Sequence, residues 1–395
     1  MVTKARLQSE RIPLERALGL VKIYERSGWP FNSAQIDHRN YETNPQLFLL
    51  LKAMHRVMIC GDLAWAQKEC DDMFRGVADV IQENQLMDSP SRGHFLENLK
   101  PGGKYHGIIG LYRHNISADH IGIFDKEIID ALAPSVKCIA HNGAGYDQID
   151  VIACKAKGSI VVSNTPGAVD DATATTALYL ILSTLRQFSK AERDARSGLW
   201  KSQLSSGNAH DLTGRTLAIL GLGGIGSRLA ELAHAFPMRV IYHNRNRAPD
   251  APEWCEYYGK DRLDEFLALA DVLSVHVPLR PETEGLVGEK MIRGLKKGSV
   301  IVNTARGKVI DEQALIRALE DGHLGAVGLD VYPNEPEINP RFFDFPNVTV
   351  LPHMGTETCD SQKKMEIRAL DNLLQFLKKG MVIDIVPELK VRAAL

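Results

Sequence analysis

From residue 55 onward the chain alternates short, almost uninterrupted apolar runs with longer stretches of helical spacing. The first runs are Arg56–Gly61 (RVMICG), Tyr105–Leu111 (YHGIIGL), Val136–His141 (VKCIAH) and Ile160–Ser163 (IVVS). Runs of this length suit strands buried on both faces of a sheet. Lys126–Ala133 reads as a helix, and a long helical pattern runs from Val169 to about Ser197, with Asp170 or Asp171 placed to cap it. A second series contains Thr216–Leu220, Arg239–Tyr242, Val272–His276, Ser299–Asn303, Gly325–Leu329 and Val348–Leu351. The spacing then predicts a helix over Glu366–Lys378 and a tail containing Val382–Val386. Strands that alternate with helices imply parallel sheets covered on both faces.

Residues 1–54 lack this alternation and read as an N-terminal extension, in which Arg11–Tyr24 could form a basic amphipathic helix. A chain of 395 residues exceeds one ordinary core and suits two domains. Its formal charge of -2 argues against nucleic acid or an anionic membrane as the main partner. The longest apolar run, near Leu178–Leu182, is too short to span a bilayer. The six cysteines are scattered without CxxC spacing, so they read as reduced, core-filling thiols, and no metal site is expected. No long apolar stretch marks a secretory signal; the cytoplasm is the expected compartment, with the mitochondrion as the alternative.

The strand Thr216–Leu220 runs directly into Gly221-Leu-Gly223-Gly224-Ile225-Gly226 and then into a helical pattern. With a strand before it, a helix after it and a second strand at the right distance, this is a dinucleotide-binding loop. Gly221 permits the tight turn, Gly223 lets backbone approach a pyrophosphate, and Gly226 lets the helix pack closely on the strand. NAD-binding folds carry an acidic residue after the next strand, but here the chain reads Tyr242-His243-Asn244-Arg245-Asn246-Arg247. Losing the anion and adding two cations is what a 2′-phosphate requires, so Asn244, Arg245 and Arg247 favour NADPH, with NAD still possible.

Three further motifs follow strands: Asn303-Thr304-Ala305-Arg306-Gly307, Gly328-Leu-Asp330-Val-Tyr-Pro-Asn-Glu335-Pro336, and Leu351-Pro-His353-Met-Gly355. Open α/β sheets bind ligands at such carboxyl ends. Ketone reduction needs a proton donor at oxygen as hydride reaches carbon, and a histidine beside a carboxylate can supply it. A substrate carboxylate needs a planar cation. Arg306, Glu335 and His353 provide one of each. Singly, each could be a structural residue: a turn cap, a loop acid or an ion-pair partner.

Together with Ala140–Asp150 (AHNGAGYDQID) and Ser274–Leu279 (SVHVPL), these motifs resemble those of the D-isomer-specific 2-hydroxyacid dehydrogenases, over about residues 56 to 386. Within that family the chain looks most like fungal-type glyoxylate and 2-oxoacid reductases. The resemblance implies an α/β fold of two doubly wound parallel-sheet domains. A Rossmann cofactor domain (165–356) would be inserted into a smaller, flavodoxin-like substrate domain (55–164 and 357–395). It implies His353 as acid/base, Glu335 as its partner, and Arg306 as the residue that binds the substrate carboxylate and polarises the carbonyl. Asn142 and the amides of Gly143 and Ala144 would hold the carboxylate from the substrate domain. Asp330 would face the nicotinamide carboxamide, Val277 and Pro278 would lie beside the adenine, and Thr173, Thr304 and Ala305 would line the cofactor. A homodimer is implied, and the stretch through Gly198–Trp200 is compatible with a dimer arm. Gly110–His114 is where a loop setting substrate specificity would fall.

The expected partner is therefore a small 2-oxo acid such as glyoxylate, hydroxypyruvate or a larger analogue. A non-catalytic dinucleotide sensor of the same fold, resembling a transcriptional corepressor, is the alternative; the balanced charge weighs against it.

Overall fold

The computed structural model describes residues 55–83, 91–158, 160–200 and 209–390. The amino-terminal extension with its expected helix over Arg11–Tyr24 lies outside them. Among the described residues, twelve strands form two sheets, and every strand pair is parallel. The chain divides into two compact units: one runs through Thr165 and resumes at Lys363, and the other spans Pro166–Gln362.

The first unit contains β1 (Arg56–Cys60), β2 (Asp79–Glu83), β3 (Ile108–His114), β4 (Cys138–Asn142) and β5 (Val161–Ser163), in the order β2-β1-β3-β4-β5. This is a flavodoxin-like order, whose switch point lies between β1 and β3. Alternate residues of β1 serve opposite faces: Met58 and Cys60 join one core, and Val57 and Ile59 join the other. Helices α1 (Gln67–Phe74), α2 (Arg92–Leu99), α3 (Lys126–Ala131) and α4 (Val151–Ala156) follow the strands. The side chains of Ser91, Asp125 and Asp150 cap the last three.

Sequence periodicity misplaces β3. Gly107 adopts φ +82, a left-handed conformation incompatible with a strand, so β3 begins only at Ile108. It then continues to His114 with all seven residues buried. The expected specificity loop at Gly110–His114 is therefore corrected: these residues are an interior strand, paired with both β1 and β4.

The second unit contains β6 (Thr216–Leu220), β7 (Arg239–His243), β8 (Glu256–Tyr258), β9 (Val272–Val275), β10 (Ser299–Asn303), β11 (Leu324–Leu329) and β12 (Val348–Val350). Their order, β12-β11-β10-β9-β6-β7-β8, is the dinucleotide-binding order with one strand added, and it reverses between β6 and β9. The long helical stretch breaks in two, α5 (Asp170–Arg186) and α6 (Phe188–Arg196), at Gln187 with φ +55. Neither acidic residue caps α5, which starts after Val169 without a side-chain cap. Asp171 instead pairs with Arg228 at 2.7 Å on α7 (Gly224–Ala235), and Asp170 lies against Gly224. Helix α5 packs on β11 so closely that a Cβ on Gly328 would lie 3.0 Å from that of Leu180.

The last long helix starts seven residues before the predicted Glu366, at Cys359, because Thr358 accepts the N–H of Ser361 and opens it (α8, Cys359–Lys379). From Lys363 on, this helix belongs to the first unit. Ala369, Leu370, Leu373 and Phe376 complete the core beside Val57 and Ile59. Gly110 makes this contact possible, since a Cβ there would lie 2.8 Å from Leu373 Cδ1. Five cysteines are buried as expected, but Cys359 is exposed, since it occupies the first turn of α8. No helix among the described residues is long and apolar enough to cross a membrane.

Glu366 joins this helix to the loop after β1. Its carboxylate accepts the N–H groups of Ala64 (3.0 Å), Trp65 (3.0 Å) and Ala66 (2.7 Å), the three residues that lead into α1. Glu366→Ala leaves three donors without that acceptor and is expected to cost about 3 kcal/mol in chemical denaturation. A loss below about 1 kcal/mol would show that solvent replaces the carboxylate.

Candidate active site

The glycine loop lies at the carboxyl end of β6, at the switch point of the second sheet. Gly221 adopts φ +104, and a Cβ there would lie 2.9 Å from the His276 carbonyl carbon and 3.0 Å from Val277 N, so only glycine fits. A Cβ on Gly226 would overlap Gly221 O, which lets α7 start directly on the loop. Around Gly223 the space within 4 Å of a Cβ is open, and its residue caps α7 without any side chain. Gly224 and Ile225 begin the helix, and Ile225 packs partly into the core. A helix N-terminus with open space above it suits a pyrophosphate. Val277 and Pro278 follow β9; Val277 is partly buried with its backbone N against Gly221, and Pro278 is exposed. Thr304 adds a further observation: its Oγ1 is buried with no partner among the described residues, leaving a polar atom for a ligand to satisfy.

At the end of β7, Asn244 is occupied by the loop itself. Its Oδ1 accepts the Leu222 N–H at 2.8 Å, and its Nδ2 donates to Leu222 O at 3.3 Å. His243 Nδ1 faces Tyr258 O at 2.9 Å and, against a carbonyl, must donate. Arg245 and Arg247 are exposed, and neither pairs with a carboxylate among the described residues.

Arg306, Glu335 and His353 occupy the loops after β10, β11 and β12. Asn303 shapes the first: its Oδ1 accepts Ala305 N at 3.0 Å, and its Nδ2 donates to Arg306 O at 2.9 Å. A Cβ on Gly307 would overlap the Tyr332–Pro333 peptide, so this glycine seats the Arg306 loop directly on the Glu335 loop. The carboxylate of Glu335 is held at both oxygens. Oε1 accepts the N–H of Tyr332 at 2.8 Å, and Oε2 meets His353 Nδ1 at 2.8 Å. Burial alone would raise its pKa; the His353 bond and charge, the Tyr332 N–H and the charge of Arg306 outweigh that and hold it below the usual range. A carboxylate only accepts, so Nδ1 carries hydrogen and Nε2 is left without a partner among the described residues.

His353 has φ +58, a conformation that costs a non-glycine residue about 1–3 kcal/mol. Asp330 holds it there. The Asp330 carbonyl accepts His353 N (2.8 Å), and its carboxylate accepts Met354 N (2.6 Å) and Gly355 N (2.8 Å). Thr173 adds a bond to Gly355 O at 3.0 Å. Asp330 is fully buried, so its carboxylate, assigned from the sequence to the nicotinamide carboxamide, is already engaged by the turn that carries His353.

In the first unit, residues 142–145 form a turn after β4. Gly143 O accepts Thr165 N (3.0 Å), Ala144 O accepts Asn164 Nδ2 (2.7 Å), and Gly145 O lies 2.9 Å from His141 Nε2. The Gly143 N–H is itself donated to Thr165 Oγ1 at 3.1 Å, which corrects its assignment to the substrate. The amides with no acceptor among the described residues are those of Ala144 and Gly145. Asn142 is buried, donating to Tyr112 Oη at 2.8 Å while its Oδ1 has no partner among the described residues. Sequence reasoning missed Asn303, Gly145 and Thr165. Asn303 and Gly145 stand inside recognised motifs, whereas Thr165 acts across 22 residues and leaves no local signal.

Residues 178–355 match the model of the D-isomer specific 2-hydroxyacid dehydrogenase, NAD binding domain. The chain is 41% identical over 337 residues to 4-methyl-2-oxopentanoate reductase A of Aspergillus oryzae, covering 85% of this chain and 99% of that protein. A crystal structure of a glyoxylate reductase from Paecilomyes thermophila superposes with a TM-score of 0.80 at 43% identity, covering 85% of this chain and 99% of that one. The NADPH-dependent glyoxylate/hydroxypyruvate reductase of Sinorhizobium meliloti, solved with NADP and malonate, gives a TM-score of 0.71 at 28% identity, covering 87% of this chain and all of that one (100%). With its two parallel α/β units, its glycine loop and its Glu335–His353 pair, the chain belongs to the D-isomer-specific 2-hydroxyacid dehydrogenases and is a dehydrogenase enzyme.

Proposed function

We propose that this enzyme reduces a small 2-oxo acid to its D-2-hydroxy acid, with NADPH as the preferred reductant and His353 as the proton donor. The observation that carries this reading is the Glu335 carboxylate, fixed on the Tyr332 N–H and on His353 Nδ1. That bond orients the ring so that Nε2, when protonated, presents its proton to a carbonyl oxygen. When bound, the reduced nicotinamide supplies hydride to the carbonyl carbon. His353 Nε2 gives its proton to the oxygen, and the ring, which stays hydrogen-bonded to Glu335, regains a proton from solvent. Its side chain is 45% exposed, which leaves that route open. Arg306 holds the substrate and polarises its carbonyl. In the first unit, the amides of Ala144 and Gly145 are the donors available to a substrate carboxylate.

The relatives support the substrate class. One is named for 4-methyl-2-oxopentanoate and another for glyoxylate, so 2-oxo acids with side chains from hydrogen to isobutyl are the compounds to test. The cofactor preference rests on the end of β7. Asn244 is committed to Leu222 and His243 to Tyr258, no carboxylate stands there for the ribose hydroxyls, and two exposed arginines follow. Guanidinium groups in that position suit a 2′-phosphate. The Sinorhizobium relative, described as NADPH-dependent, supports the same reading.

His353→Asn is expected to lower kcat by about 100- to 10,000-fold, while NADPH binding, followed by nicotinamide fluorescence, changes little. Joint loss of binding and turnover would remove His353 from the role of proton donor. The unaltered enzyme is expected to show a higher kcat/KM with NADPH than with NADH. Arg245→Ser combined with Arg247→Ser is expected to reduce the NADPH value by about 100-fold, as loss of charge-assisted bonds to a phosphate would. Steady-state rates with both cofactors decide this, and a native preference for NADH overturns it.

A further inference from the structure

Beneath the turn at residues 142–145 lies a guanidinium that the mechanism does not use. Arg113, near the end of β3, is fully buried, yet no carboxylate hydrogen-bonds to it among the described residues. Its Nη1 reaches Gln148 Oε1 at 3.0 Å and His141 Nδ1 at 3.3 Å, and its carbon CZ lies 4.9 Å from the centre of the Phe124 ring. Nε and Nη2 are buried without partners among the described residues. A cation in this state is costly, and the aromatic face offsets only part of the cost. Burial pulls its pKa down to about 10, so it remains charged at neutral pH.

The neighbouring histidine explains what the cation can do. His141 is buried between two groups of fixed polarity: the guanidinium, which only donates, and Gly145 O, which only accepts, 2.9 Å from Nε2. Arg113 therefore obliges Nδ1 to stay unprotonated, which puts the ring hydrogen on Nε2, where it donates to Gly145 O. Without that donor only Gly145 O favours this tautomer, and in the other form two lone pairs would face each other there. The ring also fills the place of a side chain at Gly143, where a Cβ would lie 2.6 Å from His141 Nε2.

We propose that Arg113 is a positioning residue that locks the tautomer of His141 and thereby holds the turn whose Ala144 and Gly145 amides bind the substrate carboxylate. This rests on the reading of that turn given under the proposed function. The lock acts on the backbone and not on the reacting atoms, so its loss weakens substrate binding more than turnover. His141→Gln tests it, because an amide offers an acceptor and a donor with similar separation and has no ring proton to relocate.

Arg113→Met is expected to raise KM for the 2-oxo acid, and Ki for oxalate, by about tenfold, the effect of losing one buried hydrogen bond. Over the same substitution kcat should change by less than about threefold and NADPH affinity not at all. His141→Gln should resemble the unaltered enzyme, and in that background Arg113→Met should lose most of its effect. A tenfold rise in KM that persists with Gln at 141 would mean that Arg113 acts by packing or charge, and would overturn the lock. Nitrogen-15 NMR of the His141 ring provides a test that needs no foldable variant: the Nε2–H tautomer is expected in the unaltered enzyme, and the Nδ1–H form would refute the proposal. Ala144→Pro, which deletes one amide, separates the two readings. If it leaves KM unchanged while the NMR shows Nε2–H, the turn is not the carboxylate site and the functional claim for Arg113 falls with it. If it raises KM and Arg113→Met does not, only the lock is wrong.

Discussion

The bond between the Glu335 carboxylate and His353 Nδ1 is the interaction on which the proposed chemistry depends, and most of the surrounding structure can be understood as holding its two ends. The acid end is fixed by the N–H of Tyr332, three residues earlier in the same loop. The histidine end is fixed by Asp330, which takes three consecutive backbone N–H groups and keeps His353 in a conformation it would not adopt unaided. Burying the Asp330 carboxylate is expensive, so both of its oxygens accept backbone N–H groups; the more exposed Glu335 carboxylate is likewise engaged at both oxygens. Gly307 then brings the Arg306 loop onto the same backbone by having no side chain at all.

Parallel sheets make this economical. In a doubly wound fold the carboxyl ends of neighbouring strands lie side by side, so loops distant in sequence need little more than one or two polar residues each to converge. β10, β11 and β12 are adjacent and end in the Arg306, Glu335 and His353 loops. The same logic operates in the first unit, where β4 ends in the turn at residues 142–145 and helix α8 holds the segment leading into α1 through Glu366. Loop positions are fixed by hydrogen bonds to the backbone in both units.

What could be read from the chain follows from these physical roles. Strands buried on both faces announce themselves as apolar runs: Thr216–Leu220 and Ser299–Asn303 match their expected limits to the residue. The strands left unread, β2 (DVIQE) and β8 (EYY), lie at sheet edges, where one side meets no neighbour and polar residues interrupt the run. The break at Gln187 carries neither glycine nor proline to signal it. That Arg306, Glu335 and His353 lie in loops after strands was legible because each of their motifs follows an apolar run. Hydrogen-bond assignments were not: which amide of the 142–145 turn is free depends on Thr165, and what Asp330 binds depends on a turn more than twenty residues away. The occupation of Asn244 by Leu222 is of the same kind, and it sharpens the cofactor argument by leaving the arginines as the groups available to a phosphate.

If Glu335 acts on the substrate only by orienting His353, then removing the carboxylate from an enzyme that already lacks the imidazole should do little further harm. A double-mutant cycle on kcat/KM with Glu335→Gln and His353→Asn measures this directly. The account predicts strong non-additivity, with the double variant within about threefold of His353→Asn alone. Independent, additive losses would contradict it, because they would give Glu335 a role in the reaction that does not pass through His353.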